Sequence, residues 1–153
     1  MLINKDMNVE SQVDYLIDAA IRNMKMDGYL VPAGVIYKPD GEALVCNIPF
    51  ISREEKSEYF REFCRVAKKE DAIAVGFAAE AWVTVQCGPD DFSEREREEV
   101  IIASVITQGT SSVRLVPILR DGNDNFIGTG EVRREGNVEY SEFSRGIWPE
   151  VVH

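Results

Sequence analysis

The chain has 153 residues, of which 44% are hydrophobic and 29% charged, and its 17 basic against 27 acidic side chains leave a formal net charge of −10. That size suits one domain spanning 1–153, which buries roughly 70% of its unfolded surface. A chain this acidic would lose electrostatic energy by coating phosphates, so direct nucleic-acid binding is not expected.

No apolar run approaches the ~18 residues needed to span a bilayer. The first residues lack the apolar core and small-residue cleavage site of a secretion signal, so membrane insertion and export are not expected. Cys46, Cys64 and Cys87 are odd in number and have no CxxC spacing. They fit reduced thiols in a cytoplasm better than a disulfide frame or a zinc site.

In chain order, Val9, Val13, Leu16, Ile17, Ala20, Ile21 and Met24 recur at three and four. This spacing predicts an amphipathic helix over 9–26, capped by Asn8 or Ser11 and closed at Asp27-Gly28. Next, residues 33–38 and 42–48 flank Pro39-Asp40-Gly41. Proline presets the first turn position and Gly41 accepts a positive φ, so a hairpin is expected, bracketed by Pro32 and Pro49. Ser52 with Glu55 forms a capping box that opens a second helix running to about Glu70, with Tyr59, Phe60, Phe63, Val66 and Ala67 as its apolar stripe.

The two most hydrophobic runs, 72–86 and 100–107, read as central strands. Ile73, Val75, Phe77, Ala79, Ala81, Val83 and Val85 share one face of the first, and Ala74, Gly76, Ala78, Glu80, Trp82 and Thr84 the other. Small residues admit a close neighbouring layer, so both faces are expected to be covered. The link 87–99 is readable two ways. Ser93 with Glu96 and Arg95 with Glu99 suit a helical turn, whereas an extended path separates its glutamates from its arginines.

Strands over 113–119 and 126–134 follow, joined by an Asp121–Asn125 turn, with Pro117 at a bulge or an edge. The last stretch, with Tyr140, Phe143 and Trp148, is expected to dock on the body. The order of elements predicts an α+β domain: two helices packed on one face of a five- to six-stranded, mainly antiparallel sheet.

Most catalytic patterns are missing. The only histidine is the final residue, His153, which removes Ser-His and Cys-His chemistry and histidine metal sites. Gly128-Thr129-Gly130 is a fragment of a phosphate loop set among strand-like neighbours. Asp121, Asn123 and Asn125 copy the first ligand positions of a calcium loop, but Phe126 stands where glycine is needed and Val132 where the bidentate glutamate belongs. Asp90-Asp91 reads as a solvated turn. No metal and no cofactor is expected.

What remains is Glu80 and Trp82 with Arg95 and Arg97, a carboxylate among alanines beside an indole and two guanidiniums. Glu80 is expected to be largely buried and engaged by Arg95, Arg97 or backbone donors, since burial would raise the carboxyl pKa unless an arginine paired with it. The set therefore reads either as an ion pair tying the link to the sheet or as a small-molecule pocket. Glu80-Ala81-Trp82, then Arg95–Glu99 and an apolar strand, resembles a pattern in uncharacterised bacterial and phage proteins. That resemblance spans about 70–108 and implies no activity. The sequence favours a non-catalytic binding or assembly module that meets a protein partner or itself, with a two-fold homodimer as the specific form. The alternatives are an enzyme with Glu80 as general acid or base, and an acidic inhibitor of a nucleic-acid-binding protein.

Overall fold

The computed structural model describes residues 8–48, 52–85, 96–135 and 147–148, with the backbone alone at 53, 84–85, 96–97 and 135. Helix α1 spans Val9–Asp27. Asn8 caps it by accepting from the Ser11 N–H at 3.2 Å, and Gly28, at φ 77°, closes it by donating to the Met24 carbonyl. Strands β1 (Ala33–Tyr37) and β2 (Ala43–Asn47) form the expected hairpin, with Gly41 at φ 93°. Helix α2 (Arg53–Lys69) starts at Ser52, whose hydroxyl accepts from the Glu55 N–H at 3.1 Å.

Strands β3 (Ala74–Val85), β4 (Glu96–Ile106), β5 (Ser111–Arg120), β6 (Phe126–Thr129) and β7 (Arg133–Glu135) follow among the described residues. All described pairings are antiparallel, in the order β2-β1-β3-β4-β5-β6, with β7 also on β5. The α+β reading therefore holds. The link takes the extended path at its end, since β4 begins at Glu96 rather than Val100; the earlier part of the link lies outside the described residues.

The expected return strand is split into β6 and β7, which makes seven strands among the described residues. Pro117 explains the split. The Pro117 carbonyl accepts from the Gly130 N–H, so its backbone faces the returning chain, and proline has no N–H to continue the ladder there. Pairing with β7 covers 113–115 and pairing with β6 covers 118–120, leaving Pro117 at the break.

The helices divide between the two faces of the sheet rather than sharing one. On the face of Ala74, Gly76 and Ala78, α1 contributes Val13, Ile17, Ala20 and Met24 to a core with Ile101, Ala103, Val105, Val116 and Ile118. The small residues of β3 allow this close approach: a Cβ on Gly76 would lie 2.7 Å from Leu16 Cδ1. On the opposite face, Phe63 and Ala67 of α2 pack with Ile36, Val75 and Ile147, and the Phe63 and Phe77 rings sit 4.9 Å apart.

The physical reason is topological. Strands β2 and β3 run parallel with β1 between them, so α2 must cross over β1, and it does so on the side of Gly34 and Ile36. That leaves the other apolar face to α1. Ile147 is buried and the Trp148 indole N–H donates to the Ala72 carbonyl at 3.1 Å, so the chain near its end docks on the body as expected. Tyr140 and Phe143 lie outside the described residues. No helix among the described residues is long and apolar enough to cross a membrane.

Candidate functional site

Glu80 and Trp82 lie on the α1 face of β3, beyond the C-terminal end of that helix. Glu80 is exposed, which corrects the expectation of a buried carboxylate. The reason is that α1 stops at Asp27 and only the turn after it reaches this part of the sheet. One oxygen of Glu80 accepts from the Leu30 N–H at 3.2 Å, so the side chain ties that turn to β3. Trp82 is 63% exposed.

Of the two arginines expected beside Glu80, Arg95 lies outside the described residues. Arg97 is placed by its backbone opposite Thr84, four positions along β3 from Glu80. The arginine that does reach this neighbourhood is Arg120, which sequence reasoning missed. Its Nε and Nη2 donate to Glu99 Oε1 at 2.9 and 2.6 Å, and Glu99 stands directly across from Trp82. The hydrogen bonds to Glu99 hold the guanidinium pKa above its ordinary value, with Asp124 and Glu80 contributing from further off. Recognising this pair needed β4 to start early enough to put Glu99 in the ladder, and the link alone left that open.

The surface around Trp82 thus holds an indole, a mutually satisfied Glu99–Arg120 pair and an exposed carboxylate on a backbone N–H. It offers contact area and hydrogen bonds. No group of three or more metal-ligating side chains occurs among the described residues. Asp121 accepts from the Asn123 and Asn125 N–H groups, at 2.8 and 2.9 Å, as a polar hairpin turn does. Burial pushes the Cys64 thiol pKa up, away from thiolate reactivity.

The second exposed feature is the outer edge of β2. Lys38 N–H donates to the Glu42 carbonyl at 2.8 Å, and Ile48 N–H to the Pro32 carbonyl at 2.7 Å. Antiparallel strands alternate the direction of their backbone groups. With Glu42 and Ile48 facing β1, Leu44 and Cys46 face it too, and the N–H and C=O groups of Ala43, Val45 and Asn47 point outward. Among the described strands β2 is terminal in the sheet order, and Val45 is 69% exposed.

The two edges of the sheet differ in chemistry. The β6–β7 edge is interrupted after Thr129, carries Gly128 at φ 154°, and presents Glu131, Arg133 and Arg134 as exposed charges. Breaks and charges of this kind block strand addition. Strand β2, Ala-Leu-Val-Cys-Asn, has no charge, proline or bulge within its five residues.

No family model, no curated protein and no solved structure matches this chain.

Proposed function

We propose that the protein is a non-catalytic binding or assembly module, located in the cytoplasm, whose working surface is the open edge of β2. The observation that carries this reading is the contrast between an edge blunted by a break and by charges and an edge left uncharged, regular and exposed. An extended segment laid against β2 would gain main-chain hydrogen bonds at Ala43, Val45 and Asn47, the recognition mode called β-augmentation. The half-buried, free Cys46 and Cys64 thiols are in keeping with a reducing compartment. The enzyme reading loses support because Glu80 stands exposed on a strand, not in a water-poor cleft.

The test is a titration, at a protein concentration low enough for the chain to be monomeric by sedimentation, with a synthetic extended peptide of alternating threonine and valine, bearing a terminal lysine for solubility. Amide resonances of Ala43, Val45 and Asn47 should shift and become protected from exchange, while those of Leu44 and Cys46, already bonded to β1, respond less. Shifts confined to the Trp82 surface, or none anywhere, would overturn the reading.

A further inference from the structure

We infer that the strand received by β2 is β2 of a second copy of this chain, paired antiparallel about a two-fold axis at Val45. This rests on the reading of β2 as a strand acceptor and names its partner.

The pattern of outward groups is self-complementary. A two-fold axis at Val45 places Val45 against itself and Ala43 against Asn47 of the second copy. All three of these rungs join residues whose N–H and C=O point outward, as hydrogen-bonded pairs require. The alternate rungs join Leu44 to Cys46 of the second copy, on the α2 face. Both side chains are half-buried, so pairing would cover apolar area that one chain leaves partly wet. An isologous contact also closes on itself, so pairing at this edge gives a dimer and not a fibre.

Charge sets a further signature. Two chains of −10 repel at a distance, whereas β2 itself carries no charge. Salt shortens the reach of that repulsion to about 8 Å at physiological strength, so association should strengthen as salt is added. A basic partner would show the opposite dependence. Two five-residue strands make a small interface, which places the contact among transient ones.

The experiment combines sedimentation of the full chain with a register-specific cross-link. Wild type should associate reversibly at high micromolar concentration, and more so with added salt. Val45→Pro removes the central outward donor from an edge position that tolerates proline. Val45→Lys, at a side chain that is 69% exposed, puts two like charges opposite each other in the dimer alone. Both variants should sediment as monomers, and the lysine variant keeps the test valid if the proline variant folds poorly.

Leu44→Cys should then form an oxidised covalent dimer through the native Cys46 of the second copy. Non-hydrogen-bonded partners lie about 4.5 Å apart between Cα atoms, within the span a disulfide bridges. Adding Cys46→Ser should abolish that link.

A monomer at all concentrations overturns the second-copy inference while leaving the strand-acceptor reading to stand or fall on the peptide titration. A dimer that survives both Val45 variants and gives no cross-link overturns the inference and counts against the edge reading as well.

Discussion

Arg114 is the least exposed charged side chain described, at 1%, and it offers the sharpest energetic test of how α1 is held to the sheet. Its Nε donates to Asp14 Oδ1 at 2.8 Å, Nη2 donates to Glu10 Oε2, and Nη1 donates to the Ser112 hydroxyl at 3.0 Å and the Val113 carbonyl at 3.2 Å. The Ser112 hydroxyl in turn donates to Glu10 at 2.6 Å. Burial alone would push the guanidinium pKa down, and the hydrogen bonds to Glu10 and Asp14 more than reverse this.

The two ends of this network are unequal, because the side chains of Glu10 and Asp14 are 56% and 48% exposed. Removing the arginine returns two carboxylates to water, whereas removing both carboxylates leaves a buried cation. Stranding a buried charge costs about 3–5 kcal/mol, and the lower end applies because the bonds to Ser112 and Val113 remain. At roughly 2–4 °C per kcal/mol for a chain of this length, Glu10→Ala with Asp14→Ala should lower Tm by roughly 10 °C. Arg114→Met, similar in length and apolar, should lower it far less.

Glu10 adds a pH signature. Its hydrogen bonds to Ser112 and Arg114 depress its pKa below 4.5. Stability from this group is therefore present above the ordinary carboxylate value and lost as pH falls through the depressed one. Glu10→Gln should flatten that acid limb in thermal melts recorded by circular dichroism between neutral and acid pH. If Arg114→Met proves as destabilising as the double alanine variant, the asymmetry argument is wrong.

Other predictions follow from single contacts. A Cβ at Gly34 would meet Phe63 Cε2 at 2.5 Å, and Phe63 is pinned against Phe77, so Gly34→Ala should cost about 1–3 kcal/mol in chemical denaturation. At Gly76 the nearest atoms to an added Cβ are the end of the Leu16 side chain and the Tyr37 ring, so Gly76→Ala should stay within about 1 kcal/mol; equal costs would refute the difference in compliance. Burial pushes the Tyr37 phenol from 10.0 up to about 12, with a smaller push from Tyr15. The stability it contributes is full below pH 10 and is lost as pH rises through about 12, and Tyr37→Phe should remove that part of the alkaline transition. Glu80→Gln keeps an acceptor for the Leu30 N–H and should change stability by less than about 0.5 kcal/mol. Glu80→Ala, which leaves that N–H unbonded within the chain, should cost about 1 kcal/mol, and a large loss in the glutamine variant would restore a buried, structural carboxylate.

The locally encoded parts of this fold were legible in the sequence. Asn8, Gly28 and Ser52 mark helix ends because they satisfy backbone groups within a few residues, and Pro39-Asp40-Gly41 sets a hairpin for the same reason. Contacts between distant segments were not legible. Glu10 and Asp14 lie on what reads as the wet side of α1, and only the approach of β5, about a hundred residues later, turns them into the partners of Arg114. Glu80 misled because alanine neighbours look like burial, whereas the covering helix ends before it reaches that position.

The β2 edge divides along the same line. The hairpin turn determines which residues of β2 face β1, since the Lys38–Glu42 bond closes the loop and every second residue follows from it. The outward direction of Ala43, Val45 and Asn47 is thus a local consequence of a three-residue turn. That β2 is an edge at all is not local. It depends on α2 carrying the chain over β1, so that β3 pairs on the far side of β1 instead of beside β2. A neutral stretch such as 43–47 reads as an interior strand when strand order is unknown, because interior strands are where uncharged residues belong. Once the order places it outermost, the same neutrality becomes an exposed template for pairing. Composition, turn chemistry and topology each contribute one step to that surface, and only topology turns it from core to interface.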